Sequence, residues 1–129
     1  MINQFGPTDL LDPDLETFNP AFWSAPERAL TKLFGPDDRN NAELRRQASP
    51  ITHVSANDAE FIFTRSVNEK LIVKSQAMRM IEKLRGVGKT VPDLYEFQGE
   101  GPAHAVRMSR EEAERVWGIQ QEFLDRQLK

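Results

Sequence analysis

Between Ser49 and Leu84 the chain passes from a short apolar run through a polar turn into a one-faced helix, and few folds accept that order. Ala59-Glu60-Phe61-Ile62-Phe63 is short, aromatic and β-branched, the composition of a strand buried within a sheet. Thr64 to Lys70 is polar and predicts a tight turn. Ala77, Met80, Ile81 and Leu84 then recur at i, i+3, i+4 and i+7, which places them on one face of a helix. Gly86 and Gly88 stop that helix, with Lys83 and Arg85 in the last turn, where cations suit the helix dipole. A second strand is predicted from Asp93 to Phe97, followed by a Gly-rich loop that ends in His104. Strand, turn, helix, strand and loop make an α/β unit whose polar groups gather at the strand carboxyl ends, where open α/β sheets bind their ligands.

The flanking segments are simpler. Met1 to Phe5 predicts the tail of a strand, closed by Gly6-Pro7-Thr8-Asp9. Leu10 to Asn19 is acidic and predicts a loop with one helical turn, and Pro20 to Ser24 a further loop. A helix is expected from Pro26 to Phe34, with proline in its first turn and Ala29, Leu30, Leu33 and Phe34 as its apolar face. A weaker helix is expected from Asn41 to Ala48. The last helix is the clearest: Ser109 and Glu112 form a capping box, and Ala113, Val116, Trp117, Phe123, Leu124 and Leu128 form one stripe.

Composition narrows the function classes. Seventeen Lys and Arg against 20 Asp and Glu leave no basic stripe for nucleic acid and no polybasic segment for anionic lipid. Cysteine is absent, which removes thiolate catalysis and Cys-based zinc sites. No stretch approaches the ~20 apolar residues of a membrane span, and the N-terminus lacks a signal-peptide pattern, so a cytoplasmic location is expected. The only histidines, His53 and His104, have no metal-ligand spacing, and neither a metal nor another cofactor is expected. Gly86-Val87-Gly88-Lys89-Thr90 ends like a phosphate-binding loop, but Lys83 stands where that motif needs its first glycine and a helix precedes it. It reads as a helix stop.

Four stretches, in order, resemble the C-terminal part of an α/β-hydrolase: Phe5-Gly6-Pro7-Thr8-Asp9-Leu10, Ala48-Ser49-Pro50-Ile51-Thr52-His53-Val54, the strand and turn running to Val73-Lys74-Ser75-Gln76, and Tyr95-Glu96-Phe97-Gln98-Gly99-Glu100-Gly101 with His104. The likeness is to the esterase/lipase branch that includes acetyl esterases, feruloyl-esterase-type domains and relatives of prolyl oligopeptidases. It implies a single partial domain over residues 1–129, with two or three mainly parallel strands and about four helices, lacking the nucleophile-elbow half. It also implies carboxylic-ester hydrolysis by a Ser-Asp-His triad, with Asn68 where that family has its acid and His104 where it has its base.

The pattern departs from that family in three places. None of the six serines sits in Gly-x-Ser-x-Gly, the acid position holds an amide, and Pro102 and Ala103 lengthen the loop before His104. An amide carries no charge to stabilise an imidazolium, and a histidine without a serine has no hydroxyl to activate. Glu69 takes the acid's place only if the turn shifts by one residue. The leading expectation is a truncated hydrolase, inactive alone. The alternatives are a non-catalytic oligomerising or binding module, or half of a split hydrolase completed in trans. The expected partners are a small-molecule ester if the fold is completed, and either a second copy or a complementing N-terminal chain. The bare sheet edge at Met1 to Phe5 and exposed Phe22, Trp23, Phe34, Trp117 and Phe123 are the surfaces expected to drive association.

Overall fold

A computed structural model describes residues 1–18, 29–35, 41–99 and 108–129. Its centre is a three-stranded parallel sheet of β1 (Ile2–Gln4), β2 (Ile62–Ser66) and β3 (Tyr95–Phe97), in the order β1-β2-β3. Ile2 lies opposite Ile62 in one pairing, and Thr64 opposite Tyr95 in the other. Among the described residues the helices are α1 (Pro13–Phe18), α2 (Ala29–Phe34), α3 (Ala42–Ala48), α4 (Lys74–Gly86) and α5 (Arg110–Gln127), with a 3-10 turn at Pro50–His53. This is the expected α/β architecture, with three strands and, where about four helices are expected, five among the described residues.

The strand prediction was right in place and wrong in extent. β2 begins at Ile62 and runs on through Thr64, Arg65 and Ser66, which the sequence reading had assigned to the turn. Thr64 and Ser66 are buried although polar, because β3 pairs with this half of β2 and carries it into the interior. Phe61 and Phe63 fall on one side of the strand, as alternation requires, with their rings stacked 5.7 Å apart. They pack on Met80, Ile81 and Leu84 of α4 and on Val91. On the other side, Gln120 of α5 donates to Thr64 Oγ1 at 3.4 Å. The sheet is therefore covered on both faces, as a parallel sheet requires.

Local signals place the helix ends. Gly88, with φ of +88°, turns the chain just past α4, and Lys89 N–H donates to the Leu84 carbonyl at 3.0 Å. Ser109 Oγ caps α5 by accepting from Glu112 N–H at 3.1 Å, as the capping box predicts. The Glu112 carboxylate in turn accepts from Gln98 N–H at 2.8 Å and so ties the end of β3 to the helix.

A second apolar cluster joins Leu10, Leu15 and Leu30 to Ile72, with Leu71 and Val73 packed against it. It anchors the loop between β2 and α4 to the N-terminal helices. The apolar faces read from sequence are only partly buried. In α2, Leu30 is buried but Leu33 is 65% exposed. In α5, Val116 and Phe123 are buried whereas Trp117 is 67% exposed, and Leu124 and Leu128 are exposed beside it. Phe123 was expected at the surface and is instead core. Phe34 is half-buried, and Phe22 and Trp23 lie outside the described residues. No helix among the described residues is long and apolar enough to cross a membrane.

Candidate functional site

Because the three strands are parallel, Gln4, Ser66 and Phe97 end at one rim of the sheet. The rim is closely tied. Phe5 and Phe97 meet edge to face with ring centroids 5.9 Å apart, bridging the ends of β1 and β3. Phe5 has φ of +61°, a conformation that costs a bulky residue about 1–3 kcal/mol. A Cβ on the next residue, Gly6, would lie 2.9 Å from Asn3 Oδ1 and displace the atom that accepts from Gly6 N–H.

At the end of β2 the chain turns sharply. Asn68 N–H donates to Ser66 Oγ at 3.1 Å, and Glu69 N–H to the Ser66 carbonyl at 3.2 Å. This turn brings the Glu69 side chain inward. Glu69 is 2% exposed, and its Oε1 accepts from the backbone N–H groups of Leu71, at 2.6 Å, and Ile72, at 3.1 Å. The Ile72 side chain is fixed in the second apolar cluster, so the donors that hold the carboxylate are themselves held. The cavity beside Glu69, lined also by Asn3, Thr64, Arg65 and Ala77, is about 20 Å³. That is room for a single water. The carboxylate is thus nearly closed to solvent, an arrangement suited to orienting a neighbouring group.

Asn68, the residue expected in the acid position, is part-buried and reaches across the rim. Its Nδ2 donates to the Gly99 carbonyl at 2.7 Å and links the loop after β2 to the loop after β3. Beside this link, Arg65 of β2 and Lys74 of α4 share the carboxylate of Glu96 on β3, at 3.2 and 2.5 Å. His104 lies outside the described residues. His53 is exposed, with Nε2 2.6 Å from the Gln47 carbonyl.

Three of the four stretches that carry the sequence resemblance meet in space. Gln76, fully buried in the first turn of α4, uses Oε1 to accept from Thr8 and Asp9 N–H, both at 2.8 Å. Its Nε2 donates to the Asp9 carbonyl and to Asp12 Oδ2. Thr8 Oγ1 returns a bond to the Gln76 carbonyl at 2.6 Å. Ser49 Oγ accepts from Leu10 N–H, and Ile51 N–H donates to the Thr8 carbonyl. The Phe5–Leu10 stretch, the Ser49–Ile51 stretch and the start of α4 are therefore one hydrogen-bonded belt. Asp12 also accepts from Ser75 Oγ and pairs with Arg79 at 3.4 Å.

The belt and the buried carboxylate both lie within a stretch that matches a known family. The model of the BD-FAE family matches residues 1–84, which run from β1 through the Glu69 turn and most of α4. The chain belongs to the BD-FAE family. BD-FAE domains are esterase- or hydrolase-like and of α/β-hydrolase type. The BD-FAE match stops before β3 and α5, so Tyr95–Gly101 and His104 lie beyond it. No curated protein and no solved structure matches the chain. Among the described residues, no group of three or more His, Asp or Glu side chains is placed to hold a metal ion.

Sequence reasoning offers Glu69 only as an alternative and gives Gln76 and Asp12 no role, although both stand in stretches it singles out. The available signal was the strand boundary. Once β2 is carried to Ser66, Glu69 becomes the third residue of the turn, the one that folds back under it.

Proposed function

We propose that this chain is the C-terminal part of a serine carboxylic-ester hydrolase of the BD-FAE family, supplying the acid-bearing turn and the base-bearing loop. The observation that carries this reading is Glu69: a buried carboxylate at the end of a central parallel strand, gripped by two backbone donors. We assign the acid role to Glu69 and the base role to His104. In the reaction, His104 takes the proton of a serine as its oxygen attacks the ester carbonyl, then returns a proton to the leaving alcohol. Water releases the acyl group by the same steps in reverse order. Glu69 holds the imidazole tautomer and stabilises the imidazolium. The serine and the oxyanion donors come from outside these 129 residues, since no serine here stands in Gly-x-Ser-x-Gly.

Esterase assays on p-nitrophenyl acetate test this reading. The 129-residue chain alone is expected to give only the background rate of a free imidazole. Together with a segment carrying the nucleophile elbow, it is expected to turn over, to be stopped by a serine-directed phosphonate, and to lose about 10³–10⁴ in kcat on Glu69→Gln. Phosphonate-sensitive turnover by the chain alone, or an unchanged kcat in Glu69→Gln, overturns the reading.

A second reading, a non-catalytic homo-oligomer, is favoured by one observation. Trp117, Leu124 and Leu128 lie along one line of α5 and all are exposed. Sedimentation decides it: a dimer that Trp117→Glu dissolves supports it, and a monomer at high concentration removes it.

A further inference from the structure

The loops after β2 and β3 are joined by a bond that a carboxylate cannot make. Asn68 Nδ2 reaches the Gly99 carbonyl at 2.7 Å, in a part-buried position. The direction of the side chain is set from below, because its own N–H is held by Ser66 Oγ. Two neighbouring bonds share the seam: Val67 N–H donates to the Phe97 carbonyl at 3.0 Å, and Gln98 N–H donates to Glu112. A carbonyl oxygen only accepts, and an ionised carboxylate only accepts. Aspartate at position 68 would set acceptor against acceptor inside hydrogen-bond distance. The amide is therefore what this bond requires.

We infer that Asn68 is a positioning residue whose side-chain amide latches the turn bearing Glu69 to the strand end that leads, in sequence, towards His104. The catalytic meaning of the latch rests on the hydrolase reading above; the latch itself does not. It fixes the separation of the two strand-end loops, and so where a base following β3 can meet an acid following β2. Position 68 and position 69 divide the work: the amide spaces the loops and the carboxylate orients.

Amide hydrogen exchange on the intact chain, followed by NMR and expressed as protection factors, tests this. At pH 7, Asn68→Asp is expected to speed exchange at Val67 and Gln98 at least tenfold, with Leu84 in α4 changed less than twofold. Near pH 3 the introduced carboxyl is protonated and can donate again, so the difference from the native chain should shrink at least threefold. The elements meeting at the seam also carry Glu69, Arg65 on β2, Lys74 on α4, Glu96 on β3, and Glu112 with Arg115 on α5. These are common to both chains and cancel in the difference. Asn68→Ala, which loses the donor without adding charge, is expected to speed exchange equally at both pH values. Native exchange at Val67 and Gln98 in both variants overturns the latch. So does acceleration spread equally into α4, or an Asn68→Asp effect that ignores pH. Leu71 and Ile72 report the Glu69 grip and are expected to stay protected in both Asn68 variants. Their loss in Glu69→Gln without loss of esterase activity in the chain completed by a nucleophile-elbow segment would defeat the hydrolase reading and leave the latch standing.

Discussion

Helix α4 is buried along two stretches of unlike chemistry. Its later turns set Met80, Ile81 and Leu84 against Phe61, Phe63 and Val91, an apolar cluster with no directional demand. Its first turn sets Gln76 among Thr8, Asp9 and Asp12, where four bonds from one amide side chain satisfy groups from a segment more than 60 residues away. Both stretches are closed to water. In the first, stabilisation scales with apolar area and tolerates swaps that conserve volume. In the second, each atom is either answered or left buried and unpaired, and no residue of similar size restores it. The difference shows how one helix can be attached to a sheet by area and to a loop by geometry.

The largest expected effect is in the apolar half. Phe63→Ala, at a fully buried ring, should cost about 3–5 kcal/mol in urea denaturation, and Phe63→Leu much less. A small loss from Phe63→Ala would mean that this cluster is loosely packed and that the contrast is false.

The polar half is tested by Gln76→Leu, which keeps the volume and removes all four side-chain hydrogen bonds. It should cost about 2–3 kcal/mol, because Thr8 and Asp9 N–H and the Asp12 carboxylate lose buried partners. Unlike the Phe63 change, it should also loosen the N-terminal loop first, read as faster exchange at Thr8 and Leu10 before any change at Leu84. A neutral result would reduce the belt to ordinary packing.

The smallest effect sharpens the same contrast from outside. On the exposed face of α3, hydrogen bonds from Arg46 and then Gln47 hold the Glu43 carboxyl down to about 2. A folded value below the ordinary one means that the contribution is present above the usual carboxylate range and is lost as pH falls towards about 2. The Glu43 carboxyl carbon should titrate low in the native chain and return towards 4.5 in Arg46→Ala, with no measurable change in melting temperature. The same kind of bond that is decisive around Gln76 is nearly without consequence where water can replace it.

Reading along the chain located α4, its Gly88 stop and the Ser109 cap, because each depends on residues within one or two turns. It also located a strand near Phe61–Phe63. It misplaced the end of that strand, since Thr64 and Ser66 are polar and nothing local says that β3 will bury them. The strand end also sets which residue of the turn is buried: with β2 carried to Ser66 the turn begins at Val67, and Glu69 is the residue it brings inward. The stripe on α5 was legible as a stripe, but which part faces the protein was not. Phe123 is 3% exposed and Trp117 is 67% exposed, although both are aromatic and belong to one pattern.

What the sequence determined by itself is the α/β order of elements, the apolar face of α4 and the caps that bound the helices. These follow from side-chain spacing and short-range hydrogen bonding, which operate before any tertiary contact exists. The tertiary structure decided which of two adjacent residues, Asn68 or Glu69, is the buried one, and what Gln76 and Asp12 are for. Those outcomes rest on partners 31 to 68 residues away, Gly99 for Asn68 and Thr8 for Gln76. A polar side chain discloses no preference among distant donors and acceptors until the sheet and helices have brought them within 3 Å.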